Sequence, residues 1–155
     1  MAHSQLATLG AAMSSVIENS SEPSGSPDQR THKQVIVIRK DLGMRKGKFV
    51  AQGAHASWAA VLSRAVRTDA GWMIPNDQDI GPWLAGRFAK ITVGVNSEDE
   101  LVAIYQAAEL AGLPCAIIRD AGLTEFKNQP TLTAVAVGPG ESAAIDLITS
   151  KLGLL

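Results

Sequence analysis

The chain has 155 residues, 46% of them apolar, with 14 Lys and Arg against 15 Asp and Glu and a formal net charge of −1. That length suits one domain with a real core, and the near-neutral charge excludes a globally basic nucleic-acid binder, so affinity for a polyanion must come from a local patch. The single cysteine, Cys115, excludes an intrachain disulfide, no apolar run is long enough to span a membrane as a helix, and no Cys/His grouping has zinc spacing.

Residues 1–32 read as a flexible tail, with a short helix over Leu6 to Ile17 and a Ser/Pro/Gly linker from Asn19 to Pro27. The tail lacks the pattern of a secretory or transit signal, which makes a cytoplasmic protein the expectation. The folded domain is expected over 33–155. Gln34 to Arg39 is a β-branched run and predicts a strand. Lys46 to Val66 predicts a long helix, whose Val50, Ala51, Ala54, Trp58, Val61, Leu62 and Ala65 recur at helical spacing and are expected to face a sheet. Thr68 to Gly86 reads as an excursion with one short helix near Ile80 to Ala85, and Phe88 to Val95 as a second strand.

Ser97 is placed to cap a helix with Glu98, Asp99 and Glu100 in its first turn, where the dipole favours anions. Leu101, Ile104, Tyr105, Ala108 and Leu110 form its apolar face, and Gly112 and Pro114 end it. Cys115 to Arg119 and Thr131 to Val137 predict two further strands, and Ser142 to Lys151 a last helix. This order predicts an α/β fold, a three-layer α/β/α sandwich on a mixed four-stranded sheet.

Two constellations carry chemistry. Lys33, Arg39, Lys40, Arg45, Lys46 and Lys48 cluster around the first strand-to-helix turn with only Asp41 opposing them. A P-loop fails here: Gly43 and Gly47 enclose three residues instead of four, and Phe49 stands where Ser or Thr is needed. What remains is a helix N-terminus, whose free N–H groups bind anions, flanked by lysines. Lys48, Gln52 and His55 follow at i, i+4 and i+7, on one helix face. The second constellation, Asp120 to Thr124, starts where the third strand ends. Open α/β sheets bind ligands at the carboxyl ends of their strands. If the first and third strands run parallel, Asp120 and Thr124 face Lys48 and Gln52 across a cleft. On spacing alone, Asp120 reads equally as an Asx turn residue.

Together these segments resemble the archaeal and eukaryotic (type II) peptidyl-tRNA hydrolases. The resemblance rests on Gln34–Leu42, on Met44–Lys48 with Ala51–Ala56, on Gly112-Leu113-Pro114, on Asp120–Thr124, on Ala136–Pro139 and on the ending Ile145-Asp146 to Leu154-Leu155. It implies a four-stranded mixed sheet, a homodimer, no metal or organic cofactor, no membrane partner, and hydrolysis of the ester between a peptide and the terminal ribose of tRNA. The family's site residues match Lys46, Lys48, Gln52, Asp120 and Thr124 here, with His55 matching a helix histidine. The basic side chains Lys40, Arg45, Lys46 and Lys48 are read as the grip on tRNA phosphate. Gly53-Ala54, Leu123, the Glu125–Thr131 loop and the 68–86 excursion depart from the pattern and mark a divergent branch. The alternatives are a non-catalytic RNA- or protein-binding module on the same fold, and a hydrolase of another small ester or amide.

Overall fold

A computed structural model describes residues 31–155. The expected tail, with its helix over Leu6 to Ile17, lies outside the described residues save for its last two positions. The elements in chain order are β1 (His32–Arg39), α1 (Lys46–Leu62), β2 (Val66–Thr68), β3 (Gly71–Met73), α2 (Ile80–Ala85), β4 (Lys90–Val95), α3 (Glu98–Leu110), β5 (Cys115–Asp120), β6 (Thr131–Glu141), α4 (Ser142–Thr149) and β7 (Gly153–Leu154).

The central sheet has five strands in the order β5-β6-β1-β4-β7, not the four expected. The addition is β7, whose two residues pair antiparallel with Val93 and Gly94 of β4. So short a strand at the chain end leaves no alternating pattern to read. β1 pairs parallel with β4 and antiparallel with β6, and β5 pairs antiparallel with β6. β1 and β5 therefore point the same way, and their carboxyl ends share one edge of the sheet.

β1 is buried on both faces, which is why it reads as an unbroken apolar run. Val35 and Val37 join Val93, Val95, Leu101, Val135 and Ile145 in one core layer. Ile36 and Ile38 meet Ala56, Ala60, Ala134 and Ala136 in the other. The second layer is thin because small residues line it. Gly53 rides directly over the sheet: a Cβ there would lie 3.5 Å from Ile38 and 3.6 Å from Ile36.

This close approach corrects the expected orientation of α1. The inward face is Gln52, Gly53, Ala56, Ala60 and Val61, while Val50, Ala54 and Trp58 point outward. The small residues let the helix settle closest to the sheet on their side, and the large apolar residues are left on its crest. α1 also stops at Leu62, four residues early. The guanidinium of Arg64 donates to Gly112 O at 2.5 Å and pairs with Asp77 and Asp79, which draws the chain away from the helix axis into the hairpin β2–β3. α3 forms as expected, with Ser97 Oγ accepting from Glu100 N at 3.2 Å, but Leu110 at its end is exposed instead of packed.

Candidate active site

The shared carboxyl edge of β1 and β5 places the N-terminus of α1 against the Asp120–Pro130 loop. At their junction Lys48 Nζ lies 2.6 Å from Asp120 Oδ2. Gln52 Nε2 donates to the same oxygen at 3.0 Å, and Gly122 N donates to Oδ1 at 2.9 Å. Both readings of Asp120 hold: it closes an Asx turn and it faces Lys48. Three donors on one carboxylate hold its pKa below the usual range, the Lys48 hydrogen bond most strongly, with Gly122 and Gln52 adding to it. Gly122 adopts φ +80°, and any Cβ there would collide with Gln129 O at 2.1 Å, so only glycine can bring this amide to the carboxylate.

Thr124 Oγ1 accepts from Lys48 Nζ at 3.3 Å, and the ammonium stands 5.3 Å from the centre of the Phe126 ring. The Lys48 and Asp120 side chains are only 12% and 16% exposed, so the pair is sheltered, with the exposed Thr124 beside it and Asp120 bordering a groove along α1. Gln52 stands behind them. It is buried, and both ends of its amide are engaged, Nε2 on Asp120 and Oε1 accepting from Thr133 Oγ1 at 2.5 Å. Gln52 therefore holds the carboxylate instead of reaching for a reacting atom.

Of the expected site, Lys48, Gln52, Asp120 and Thr124 converge. His55 does not join them. It is exposed on α1 beyond Gln52, in a groove with Trp58, Ala59, Leu62 and Arg119. Among the cations, Lys46 is exposed at the helix N-terminus, which has no side-chain cap. Arg45 is exposed beside it but tethered: Nε and the backbone N–H both donate to Glu125, at 2.8 and 3.1 Å. That contact lowers the pKa of Glu125 and fastens the loop to the helix. Lys40 follows β1, its stem lying over Gly94.

The basic cluster is smaller than the sequence implies. Arg39 is buried and bound to Asp41, Glu98 and Leu132 O, and Lys33 pairs with Asp146 at the opposite end of β1. Both are structural. Sequence reasoning missed Thr133, hidden in the apolar run of β6, and Glu125, whose signal was a lone carboxylate opposite a basic turn.

The arrangement offers a carboxylate that stays ionised, an ammonium beside it, a hydroxyl next to the pair, and a cationic helix end. Such a site can orient a water and stabilise an oxyanion next to a bound phosphate. Among the described residues no three His, Cys, Asp or Glu side chains gather as a metal site would require, and no helix is long and apolar enough to cross a membrane.

The family model described as Peptidyl-tRNA hydrolase PTH2 matches residues 32–155. The chain is 49% identical over 123 residues to a peptidyl-tRNA hydrolase of Methanocaldococcus jannaschii, covering 79% of this chain and 99% of that one. It is 44% identical over 124 residues to one from Staphylothermus marinus, covering 80% and 95%. Among solved structures, Atu0240 of Agrobacterium, a protein of unknown function, matches with a TM-score of 0.50 at 11% identity over 81% of this chain and 98% of that one, a likeness of fold alone.

Proposed function

The chain belongs to the peptidyl-tRNA hydrolase PTH2 family, and from that premise we propose that it hydrolyses the ester joining a peptide, or an N-blocked amino acid, to the terminal ribose of tRNA, as a cytoplasmic enzyme that returns tRNA to translation. The observation that carries the reading is the Lys48–Asp120 pair at 2.6 Å, set at the cationic end of α1.

Asp120 accepts a hydrogen bond from a water and aims its oxygen at the ester carbonyl, with the Thr124 hydroxyl fixing the water's position. A carboxylate of such low proton affinity takes the proton only as attack makes the water acidic. As the new C–O bond forms, the carbonyl oxygen becomes an oxyanion beside the Lys48 ammonium, whose charge counts for more in a sheltered setting than in water. The ester C–O bond then breaks: the ribose oxygen takes up the proton held by Asp120 and leaves as a hydroxyl, and the new peptide carboxyl group loses its own proton to solvent. Gln52 and Gly122 hold Asp120 throughout. Lys46, the α1 N–H groups, Lys40 and Arg45, once Arg45 exchanges Glu125 for phosphate, grip the tRNA backbone, so binding weakens as salt rises.

We also read the protein as a homodimer. Val50 and Trp58 on the crest of α1 are 71% and 58% exposed, and Leu155 lies beside them around an apolar hollow of about 600 Å³ that a second copy would cover.

The purified protein given peptidyl-tRNA, unblocked aminoacyl-tRNA and small esters tests the reading. The expected result is multiple turnover of peptidyl-tRNA, with the other two at least about tenfold slower. Binding without turnover would instead identify a non-catalytic RNA module, and turnover of small esters alone a different hydrolase.

A further inference from the structure

We infer that the groove running from Asp120 along one flank of α1 seats the peptidyl part of the substrate, an inference that rests on the hydrolase reading above. The flank that carries Lys48 and Gln52 does not end with them. His55, Ala59 and Leu62 continue it toward the helix C-terminus, and all of them border one groove with Ile118, Arg119 and Asp120 across from them. The groove holds about 570 Å³ and shares Gln52 and Asp120 with the reacting site, so a chain lying in it starts at the bond to be cut.

The two ends of the site differ in chemistry. The N-terminal end of α1 presents Lys46 and unpaired N–H groups, which suit phosphate. Beyond Gln52 the apolar lining includes Ala59, Leu62 and Ile118, with Trp58 at the border shared with the crest, and His55 and Arg119 are the polar groups on either wall. Neither side chain is hydrogen-bonded to another described residue. A substrate with one polyanionic end and one near-neutral end fits this site in one direction only, tRNA toward Lys46 and peptide toward Leu62.

The groove also explains how peptides of any sequence could be accepted. β5 is the edge strand of the sheet, so alternate N–H and C=O groups on its outer side meet no other strand. A peptide laid against them is held through its backbone, and the shallow apolar floor sets no demand on any one side chain. From Gln52 to Leu62 the helix rises about 15 Å. That is room for about four residues of extended chain.

The test is a length series: kcat/KM for one tRNA carrying an N-acetylated amino acid, or N-acetylated peptides of two, four and six residues with the same C-terminal residue. The protein is used unaltered and as Ala59→Phe, whose ring fills the groove. In the unaltered protein kcat/KM should rise about tenfold from one residue to four and then level. In Ala59→Phe the four-to-one ratio should fall below about two. A ratio near one in the unaltered protein, or an Ala59→Phe protein that keeps the full ratio, would overturn the inference. If Ala59→Phe does not fold, the length series alone decides. Turnover without length dependence overturns the groove only, whereas no turnover of any substrate overturns the hydrolase reading and the groove with it.

Discussion

Thr133 shows how much of this site depends on a residue that touches no substrate. Its hydroxyl donates to Gln52 Oε1 at 2.5 Å in a fully buried setting, and so fixes which end of the Gln52 amide faces Asp120. Without it, the buried amide oxygen loses its partner, a cost of about 1–3 kcal/mol. Turning the amide over would recover a donor only by aiming its oxygen at a carboxylate. Thr133→Val keeps the shape and removes the hydroxyl. We expect kcat to fall about tenfold with KM little changed, and Thr133→Ser to restore it. Steady-state kinetics on peptidyl-tRNA check this, and a uniform loss of both parameters would point to general destabilisation instead. The pH behaviour follows from Asp120. Its folded pKa is depressed, so the stability it contributes is present above the ordinary carboxylate pKa and is lost as pH falls below about 4. Activity therefore shows no acid limb from Asp120 above about pH 5.

At the level of elements, α1 is fixed by a polar clamp as well as by its small residues. Gln34 on β1 is fully buried. Its Nε2 donates to Ser57 O on α1 and to Gly138 O on β6, both at 3.1 Å, and its Oε1 accepts from Ser57 Oγ at 2.6 Å. Gln34→Ala strips three hydrogen bonds from the junction of three elements and opens a cavity. We expect a loss of about 3 kcal/mol, read from the urea midpoint and slope. The clamp also shows why the sequence misleads about α1. Periodicity ranks Val50, Ala54 and Trp58 as the inward face, because it weighs size and apolarity. The structure turns Gln52 and Gly53 inward, because close approach favours small residues and because Asp120 and Thr133 satisfy Gln52. Those partners are 68 and 81 residues away, outside any local pattern. The strands, the Ser97 cap and the convergence of Lys48, Gln52, Asp120 and Thr124 were legible, since each follows from a run, a spacing or a strand end. The fifth strand and the β2–β3 hairpin were not. Each is two or three residues long, with too few positions for alternation to appear.

For the molecule as a whole, the site occupies one edge of the sheet, while the apolar crest of α1 faces away from the core. The exposed Lys46 stands at the N-terminal end of that same helix and Val50 and Trp58 on its crest, so the contacts proposed for tRNA and for a second copy fall on different parts of α1. The unaltered protein should sediment as a dimer at micromolar concentration. Trp58→Glu, which sets a charge on the crest without touching Lys48 or Asp120, should sediment as a monomer. An unaltered protein that runs as a monomer at all concentrations would contradict the homodimer reading.

If the Lys48–Asp120 pair performs ester hydrolysis, single-turnover cleavage of one peptidyl-tRNA by Asp120→Asn reads its contribution without interference from product release. The substitution keeps size and most hydrogen bonds but removes the charge. We expect a cleavage rate about 10²- to 10⁴-fold lower, with tRNA affinity close to that of the unaltered protein and a lowered but still cooperative thermal transition. A folded Asp120→Asn protein that cleaves at the unaltered rate would contradict that role for the pair.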